Sequence, residues 1–185
     1  MRGLFRTQEK EKGAAIVESA ILIGILLMLA LGAFEYGMGF RSWFGASAAS
    51  REGARVAASV GPVADADCRI LESVAAALSS ATGDAIVRVD IFEHFPASGT
   101  DGLFNAYRPF DSASDNPANL RCASWFLMAG SSWSETSRDN TGDDRDWIGV
   151  EVEFRHSWIT NFLWWSGDVD WSNRNVMRME PVNYG

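Results

Sequence analysis

An apolar run of 21 residues near the start of the chain limits what this protein can fold into more than any other feature. Residues 14–34 read AAIVESAILIGILLMLALGAF and include one charged side chain, Glu18. In a helix this run would rise about 31 Å, which matches the hydrocarbon core of a bilayer. The sequence therefore predicts one transmembrane helix over residues 14–34. A buried core helix is the alternative, although core helices are seldom apolar on every face over such a length.

Charge is distributed unevenly along the chain. Residues 1–61 carry seven basic and five acidic side chains, whereas residues 62–185 carry nine arginines against nineteen acidic residues. By the positive-inside rule, the basic leader at residues 1–13 favours a cytoplasmic N terminus and a C-terminal domain outside the cytoplasm. A domain this acidic is poorly suited to nucleic acid, because phosphate affinity comes from clustered Lys and Arg. We therefore expect a single-pass protein of the inner or cytoplasmic membrane, with no nucleic-acid partner.

The chain beyond the apolar run predicts a helical stem followed by one folded domain. Residues 35–61 are rich in alanine and contain no proline, and Gly61 with Pro62 predicts the end of the stem. The remaining residues, 62–185, are numerous enough to form one compact hydrophobic core. Four segments are thus expected: the charged leader, the transmembrane helix, the helical stem and an extracytoplasmic α/β domain.

Within residues 62–185, periodic patterns predict an α+β fold. First-turn acids at Asp65 and Asp67, followed by an apolar stripe at helical spacing, predict a second helix. The segments AIVRVDIF and WIGVEVEFRHSW alternate apolar and polar residues, which predicts half-buried antiparallel strands. A last strand is predicted through residues 176–179, and residues 96–146, rich in Ser, Gly, Asn and Asp, are predicted to form a long loop. The expected fold is a long N-terminal helix, a second helix and a small antiparallel sheet.

One segment resembles a known family. Residues 12–58, KGAAIVESAILIGILLMLALGAFEYGMGFRSWFGASAASREGARVAA, resemble the TadE-like family of tight-adherence pilus proteins, minor pilin-like subunits related to type IV pilins. In such families a prepilin peptidase cuts after a glycine, and a glutamate at position five of the mature chain stays in the membrane. Gly13, Ala14 and Glu18 have that spacing. The resemblance implies processing between Gly13 and Ala14, and as partners the peptidase, other pilin-like subunits and the pilus or secretion platform.

The spacing of Gly13, Ala14 and Glu18 also has a chemical rationale that does not depend on the resemblance. Cutting after Gly13 would expose an α-ammonium at Ala14, and Glu18 is the one carboxylate in the apolar run that could neutralise such a charge. Pairing with the terminus of a neighbouring subunit would set the axial register between subunits. Two alternatives stay open: an uncleaved signal anchor whose Glu18 lies near the interface, and a signal peptide cut near residues 30–32.

Small residues recur every four positions in the stem. Gly45, Ala49, Gly53 and Ala57 form a ladder that would permit close helix approach. Glycine inside a helix costs about 1 kcal/mol relative to alanine, so the glycines indicate a packing benefit. The ladder can serve contacts between subunits or contacts with the protein's own domain.

The two cysteines, Cys68 and Cys122, match no metal-ligand spacing. An even number of cysteines outside the cytoplasm favours a disulfide, with two buried free thiols as the alternative. The acidic run DNTGDDRD lacks the regular spacing of a calcium loop, which favours a solvated loop. No cofactor or metal site is therefore expected.

The sequence contains no pattern typical of an enzyme. His94 and His156 are the only histidines, and no GxSxG, HExxH or phosphate-binding loop is present. Seven of the eight tryptophans lie beyond the stem, either in the core or on a surface that binds partners. We therefore expect a minor pilin-like subunit that helps assemble or prime a pilus or secretion system. The alternative is a membrane-tethered or secreted binding domain with no pilus role.

Overall fold

The computed structural model describes residues 4–81, 85–110, 120–160 and 166–181. Within these residues two α-helices and five strands form the fold, and the predicted α+β class is confirmed. Their bounds in chain order are α1 Leu4–Val60, α2 Ala66–Ala81, β1 Ala85–Phe95, β2 Thr100–Pro109, β3 Trp125–Leu127, β4 Trp147–Ser157 and β5 Asp168–Arg178.

Helix α1 is one continuous helix of 57 residues. It begins at Leu4 and so includes most of the leader, which the sequence analysis treated as a separate charged segment. It ends at Val60, as the sequence predicts. Gly61 has φ 74°, the left-handed conformation that glycine adopts readily just after a helix, and Pro62 then prevents the helix from continuing.

The strands form one antiparallel sheet in the order β3-β2-β1-β4-β5. Its centre is the pairing of β1 with β4, in which Val89 lies opposite Val152 and Ile91 lies opposite Val150. These apolar pairs share one face of the sheet because side chains alternate along each strand. The antiparallel strands predicted from alternation are thus present.

The core lies between this sheet and the two helices. Helix α2 and the second half of α1 pack together, and α1 also contacts β4 and β5. Beyond β5, the backbone amide of Glu180 donates a 2.8 Å hydrogen bond to the carbonyl of Ala58, which ties the segment after β5 to the end of the stem. Large buried side chains from three of the packed elements fill the core: Ile70, Val74, Leu78, Val89, Ile91, Ile148, Val150, Val152 and Phe154.

The expectation of one long loop over residues 96–146 is wrong. Strands β2 and β3 lie within it and extend the sheet beyond β1. The pattern of β2 conceals the strand because Leu103 and Phe104 are exposed, whereas the polar Asn105 is buried. The last strand is also longer than the predicted 176–179, since β5 begins at Asp168 and its outer face is polar.

Candidate membrane anchor and packed stem

The first half of α1, residues 14–34, is left largely uncovered by the rest of the protein. Its large apolar side chains are exposed, with Ile16 70% and Leu29 65% accessible. In the part of the chain that the structure describes, α1 is the one helix long and apolar enough to cross a membrane, and its most apolar window is entirely unburied. Leaving a Leu or Ile side chain in water forfeits about 1.5–3 kcal/mol relative to burying it. Lipid tails or partner helices are therefore expected to cover this surface.

Gly13, Ala14 and Glu18 lie at the start of this exposed half, and all three are exposed themselves. A Cβ added at Gly13 would meet nothing within 4 Å, so the fold does not require glycine at this position. Glu18 follows Ala14 by about one helical turn, which places the two residues on the same face of the helix.

A second carboxylate, Glu35, lies where the domain begins to cover the helix. Its side chain is completely buried, and it accepts hydrogen bonds from the backbone amides of Ile159, at 3.2 Å, and of Thr160. Hydrogen bonds to an ionised group are about twice as strong as neutral ones. Glu35 therefore ties the segment after β4 to the start of the stem. Glu35 was not among the candidates identified from the sequence, although an acid bordering an apolar run is a signal that could have marked it.

The small-residue ladder packs against the protein's own domain. Gly45, Ala49, Gly53 and Ala57 are all buried, and their small neighbours Ala46, Ser50, Ala54 and Ala58 are buried as well. A Cβ added at Gly53 would lie 2.5 Å from Val74 Cγ2 of α2 and 3.0 Å from Val150 Cγ1 of β4. The ladder thus lets the helix approach the second helix and the sheet at the same time. Its surface is occupied by intramolecular contacts.

The opposite face of the stem carries large aromatic side chains. Phe40, Trp43 and Phe44 are exposed by 62%, 41% and 67%. Part of this face borders an open groove of about 260 Å³, which we call the aromatic groove and which is lined by Tyr36, Gly39, Phe40, Trp43, Trp158 and Trp171. The groove thus lies between the start of the stem and the adjacent ends of β4 and β5.

A polar contact supports the wall of this groove. The ring of His156 stacks on Trp171, with centroids 5.4 Å apart and an interplanar angle of 7°. Its Nδ1 lies 2.9 Å from the hydroxyl oxygen of Ser42 on the stem. His156 is itself buried. The contact therefore holds β4 against the stem and fixes one side of the groove.

A buried ion pair joins α2 to the connection between β3 and β4. Asp67 Oδ1 lies 2.5 Å from Arg138 Nη2, and both side chains are almost fully buried. Oδ2 of Asp67 accepts hydrogen bonds from Asn105 Nδ2 at 2.8 Å and from the hydroxyl of Tyr107 at 2.7 Å. Burial and the neighbouring Asp67 carboxylate raise the pKa of Tyr107. The sequence analysis assigned Asp67 only a place in the first helical turn, because the partners lie far along the chain.

Cys68 and Cys122 are joined by a disulfide, with their Cα atoms 5.1 Å apart. The bond links α2 to the short 3₁₀ turn Cys122–Ser124, which comes directly before β3. It spans 54 positions of the sequence, so in the chain-entropy account of disulfides it removes considerable freedom from the unfolded chain.

The other candidate residues are dispersed. Among the residues that the structure describes, no three His, Cys, Asp or Glu side chains come together as a metal site. Trp125 and Trp133 are buried, whereas Trp147 is 37% exposed, so the tryptophans are shared between core and surface. Trp164 and Trp165 lie outside the described residues.

The fold and the exposed helix define a class of protein in which one long helix is apolar enough to cross a membrane and carries an α+β domain on its second half. Residues 13–55 of this helix match the family model described as TadE-like protein. The match confirms the resemblance found in the sequence, and it covers the exposed half and most of the packed stem. No curated protein and no solved structure matches the chain.

Proposed function

We propose that this chain is a membrane-anchored, minor pilin-like subunit that helps assemble or prime a tight-adherence type IV pilus or a related secretion machinery. The observation that carries the proposal is the TadE-like match at residues 13–55, which falls on a helix whose first half is exposed and apolar. TadE-like proteins act in pilus systems as structural components. The role proposed here is accordingly one of assembly and not of catalysis.

In this proposal residues 14–34 anchor the protein in the inner or cytoplasmic membrane. The leader lies in the cytoplasm, where a prepilin peptidase cuts after Gly13, and the domain lies outside. The basic leader supports this orientation, because residues 1–13 carry four Lys and Arg side chains close to the start of the span. The exposure of Gly13 and Ala14 is compatible with access by another protein.

Glu18 supplies the contact between subunits. Its carboxylate has no place in the packed part of the fold, and a charge inside a bilayer is costly unless a partner compensates it. The partner proposed is the α-ammonium that cleavage creates at Ala14 of a neighbouring subunit. Because the two positions are four residues apart, pairing between parallel helices requires an axial offset of about 6 Å. This offset is the axial register that the ion pair would impose between neighbouring subunits of the pilin-like assembly.

The processing step is tested by the native N terminus. The mature protein isolated from membranes is expected to begin at Ala14, and Gly13→Val is expected to leave a longer form that retains the leader. The measurement is N-terminal sequencing or intact mass. Recovery of Met1, or of a terminus near residue 33, would contradict the proposed processing.

The register contact is tested by Glu18→Gln, with Glu11→Gln as a matched control in the leader. Both substitutions neutralise one carboxylate, but cleavage would discard residue 11. Glu18→Gln is expected to permit cleavage and to reduce recovery with sheared pili or with partner subunits, because it leaves a buried ammonium unpaired at a cost of up to about 3–5 kcal/mol. Glu11→Gln should behave as wild type. Equal recovery of both variants would remove Glu18 from the proposal.

A further inference from the structure

We infer that the membrane-proximal base of the domain docks on the outer surface of the bilayer that the helix spans, with the aromatic groove seated where lipid headgroups meet acyl chains. The inference rests on the proposed membrane anchoring and adds a second membrane contact to it. The occupant of the groove is lipid, and the groove sets the height and the tilt of the domain above the membrane.

The aromatic face of the stem continues directly from the apolar span. Tyr36, Phe40, Trp43 and Phe44 follow the exposed half of α1 on the same helix, at spacings of four, seven and eight residues. These spacings place all four side chains on one helical face, and all four are more than a third exposed. The lipid-facing surface therefore continues past residue 34 without a polar break on this face.

The residues that line the groove are of the types that favour a membrane interface. Tryptophan and tyrosine are enriched at membrane interfaces because each combines an apolar ring with one polar group. The groove is lined by three tryptophans, a tyrosine, a phenylalanine and a glycine, with no charged side chain among them. An apolar groove lined by these side chains suits the headgroup boundary of a bilayer.

The helix is long enough to bring the groove to the outer headgroups. It rises about 3 Å from Phe34 to Tyr36 and about 8 Å from Phe34 to Gly39. The headgroup layer on each side of the hydrocarbon core is about 5–8 Å thick. When residues 14–34 fill the core, the part of the groove at Tyr36 and Gly39 therefore lies in the outer headgroup layer.

The base of the domain is held against the helix by buried polar contacts. Glu35 holds the amides of Ile159 and Thr160, and His156 contacts Ser42. Ile159, exposed by 54%, lies at this base and adds an apolar side chain at the level of Glu35. Because these contacts fix the base to the helix, insertion of the helix to residue 34 brings the groove to the membrane surface.

The test uses the full-length chain in phosphatidylcholine vesicles, with a nitroxide label on one introduced cysteine at a time. The native cysteines are joined in a disulfide and do not compete for the label. The label at Leu26→Cys reports on the environment of the span, and the label at Phe40→Cys reports on the groove. The label at Ser59→Cys, which is exposed at the far end of the stem, is the reference for a position in water. Gly37→Cys is a second reporter near the groove, because a Cβ there meets nothing within 4 Å and the label should not disturb folding.

The measurement is the ratio of collisions with oxygen, which partitions into lipid, to collisions with a water-soluble nickel complex. We expect the labels at positions 26, 37 and 40 to give a ratio several-fold higher than the label at position 59. A high ratio at Leu26 with water-like ratios at Phe40 and Gly37 would overturn the docking and leave the anchoring intact. A water-like ratio at Leu26 would overturn both.

A second copy of the chain is the competing occupant of the groove. In that case the label at Phe40 would be shielded from both reagents and would show spectral broadening from a nearby second label. Dilution with unlabelled protein would remove that broadening. This result would overturn docking on lipid.

Discussion

The two halves of α1 place the same kind of helix in opposite environments. In residues 14–34 the large side chains of Ile, Leu and Phe are exposed, whereas in residues 35–60 the buried positions are mostly Gly, Ala and Ser. The more hydrophobic half is thus the one that the fold does not bury. Size explains the difference, because a helix packed against a second helix and a sheet at once has little room for side chains. Large apolar side chains can be accommodated where no second helix or sheet packs against the helix, as in residues 14–34.

The largest expected effect comes from filling the packed half. Gly53→Leu is expected to destabilise the domain by about 3 kcal/mol or more, because even its Cβ would lie 2.5 Å from Val74. The measurement is denaturant unfolding of the full-length protein in mild detergent, followed by tryptophan fluorescence.

Gly24→Leu is the matched control in the exposed half. A Cβ at Gly24 meets nothing within 4 Å, and both substitutions bring the same gain in helix propensity, about 1 kcal/mol. The difference between the two variants therefore isolates packing. Equal stability of the two would show that the ladder does not set the distance between helix and domain.

An intermediate effect is expected from the two helix carboxylates. Glu35→Gln should lower the stability of the domain by about 1.5–3 kcal/mol, because a neutral amide replaces the ionised acceptor of two backbone amides. Glu18→Gln should leave domain stability unchanged, since Glu18 lies outside the packed region. Unfolding in detergent measures both variants. A larger loss of stability for Glu18→Gln than for Glu35→Gln would contradict the prediction that Glu35 stabilises the fold and Glu18 does not.

The smallest expected effect is a pH dependence from the outer face of the sheet. Burial alone would raise the pKa of Asp101, but hydrogen bonds from Arg174, at 2.9 Å, and His94, at 2.8 Å, outweigh it and hold the pKa below its ordinary value. The stabilisation is therefore fully present above about pH 4 and is lost as the pH falls through the lowered pKa.

Because Asp101 is 40% exposed, solvent screening should limit the effect to less than about 1 kcal/mol. Unfolding measured between pH 6 and 3 should show a weaker acid dependence for Asp101→Asn than for wild type. The difference in stability between Gly53→Leu and Gly24→Leu should stay constant over this range, since no titrating group contributes to it. A difference that changes with pH would show that a charged group takes part in the packing of the helix.

The features that could be predicted from the sequence are those that repeat along it. The apolar run, the stop at Gly61 and Pro62, and the alternation in β4 each depend on neighbouring residues, and each agrees with the structure. The small-residue ladder was visible as a spacing, but the sequence could not decide between a subunit and the protein's own sheet as its partner. That choice depends on where Val74 and Val150 lie in space.

The features that sequence reasoning missed depend on partners distant along the chain. The sequence conceals strand β2 because Asn105 is buried by its bonds to Asp67 and to the backbone of Trp133. The position of Glu35 beside the apolar run is visible in the sequence, but its partners are backbone amides, which have no sequence signature. The aromatic groove likewise combines Tyr36 with Trp171, from opposite ends of the fold.

The hydrogen bond from Glu180 to Ala58 has a consequence for the biosynthesis of the protein. The stem is made before strands β4 and β5 and the segment after β5, which cover part of it. Contacts between residues so far apart form slowly, because the entropy of closing the loop is lost before the contact is gained. Helix α2 directly follows the stem and can pack against it early, but the side of the stem that faces β4 and β5 stays uncovered until those strands have been synthesised. Loss of β5 alone would open the part of this side around Ser50, which bonds Asn173 and Asn175, to proteases and to the helices of other newly made proteins.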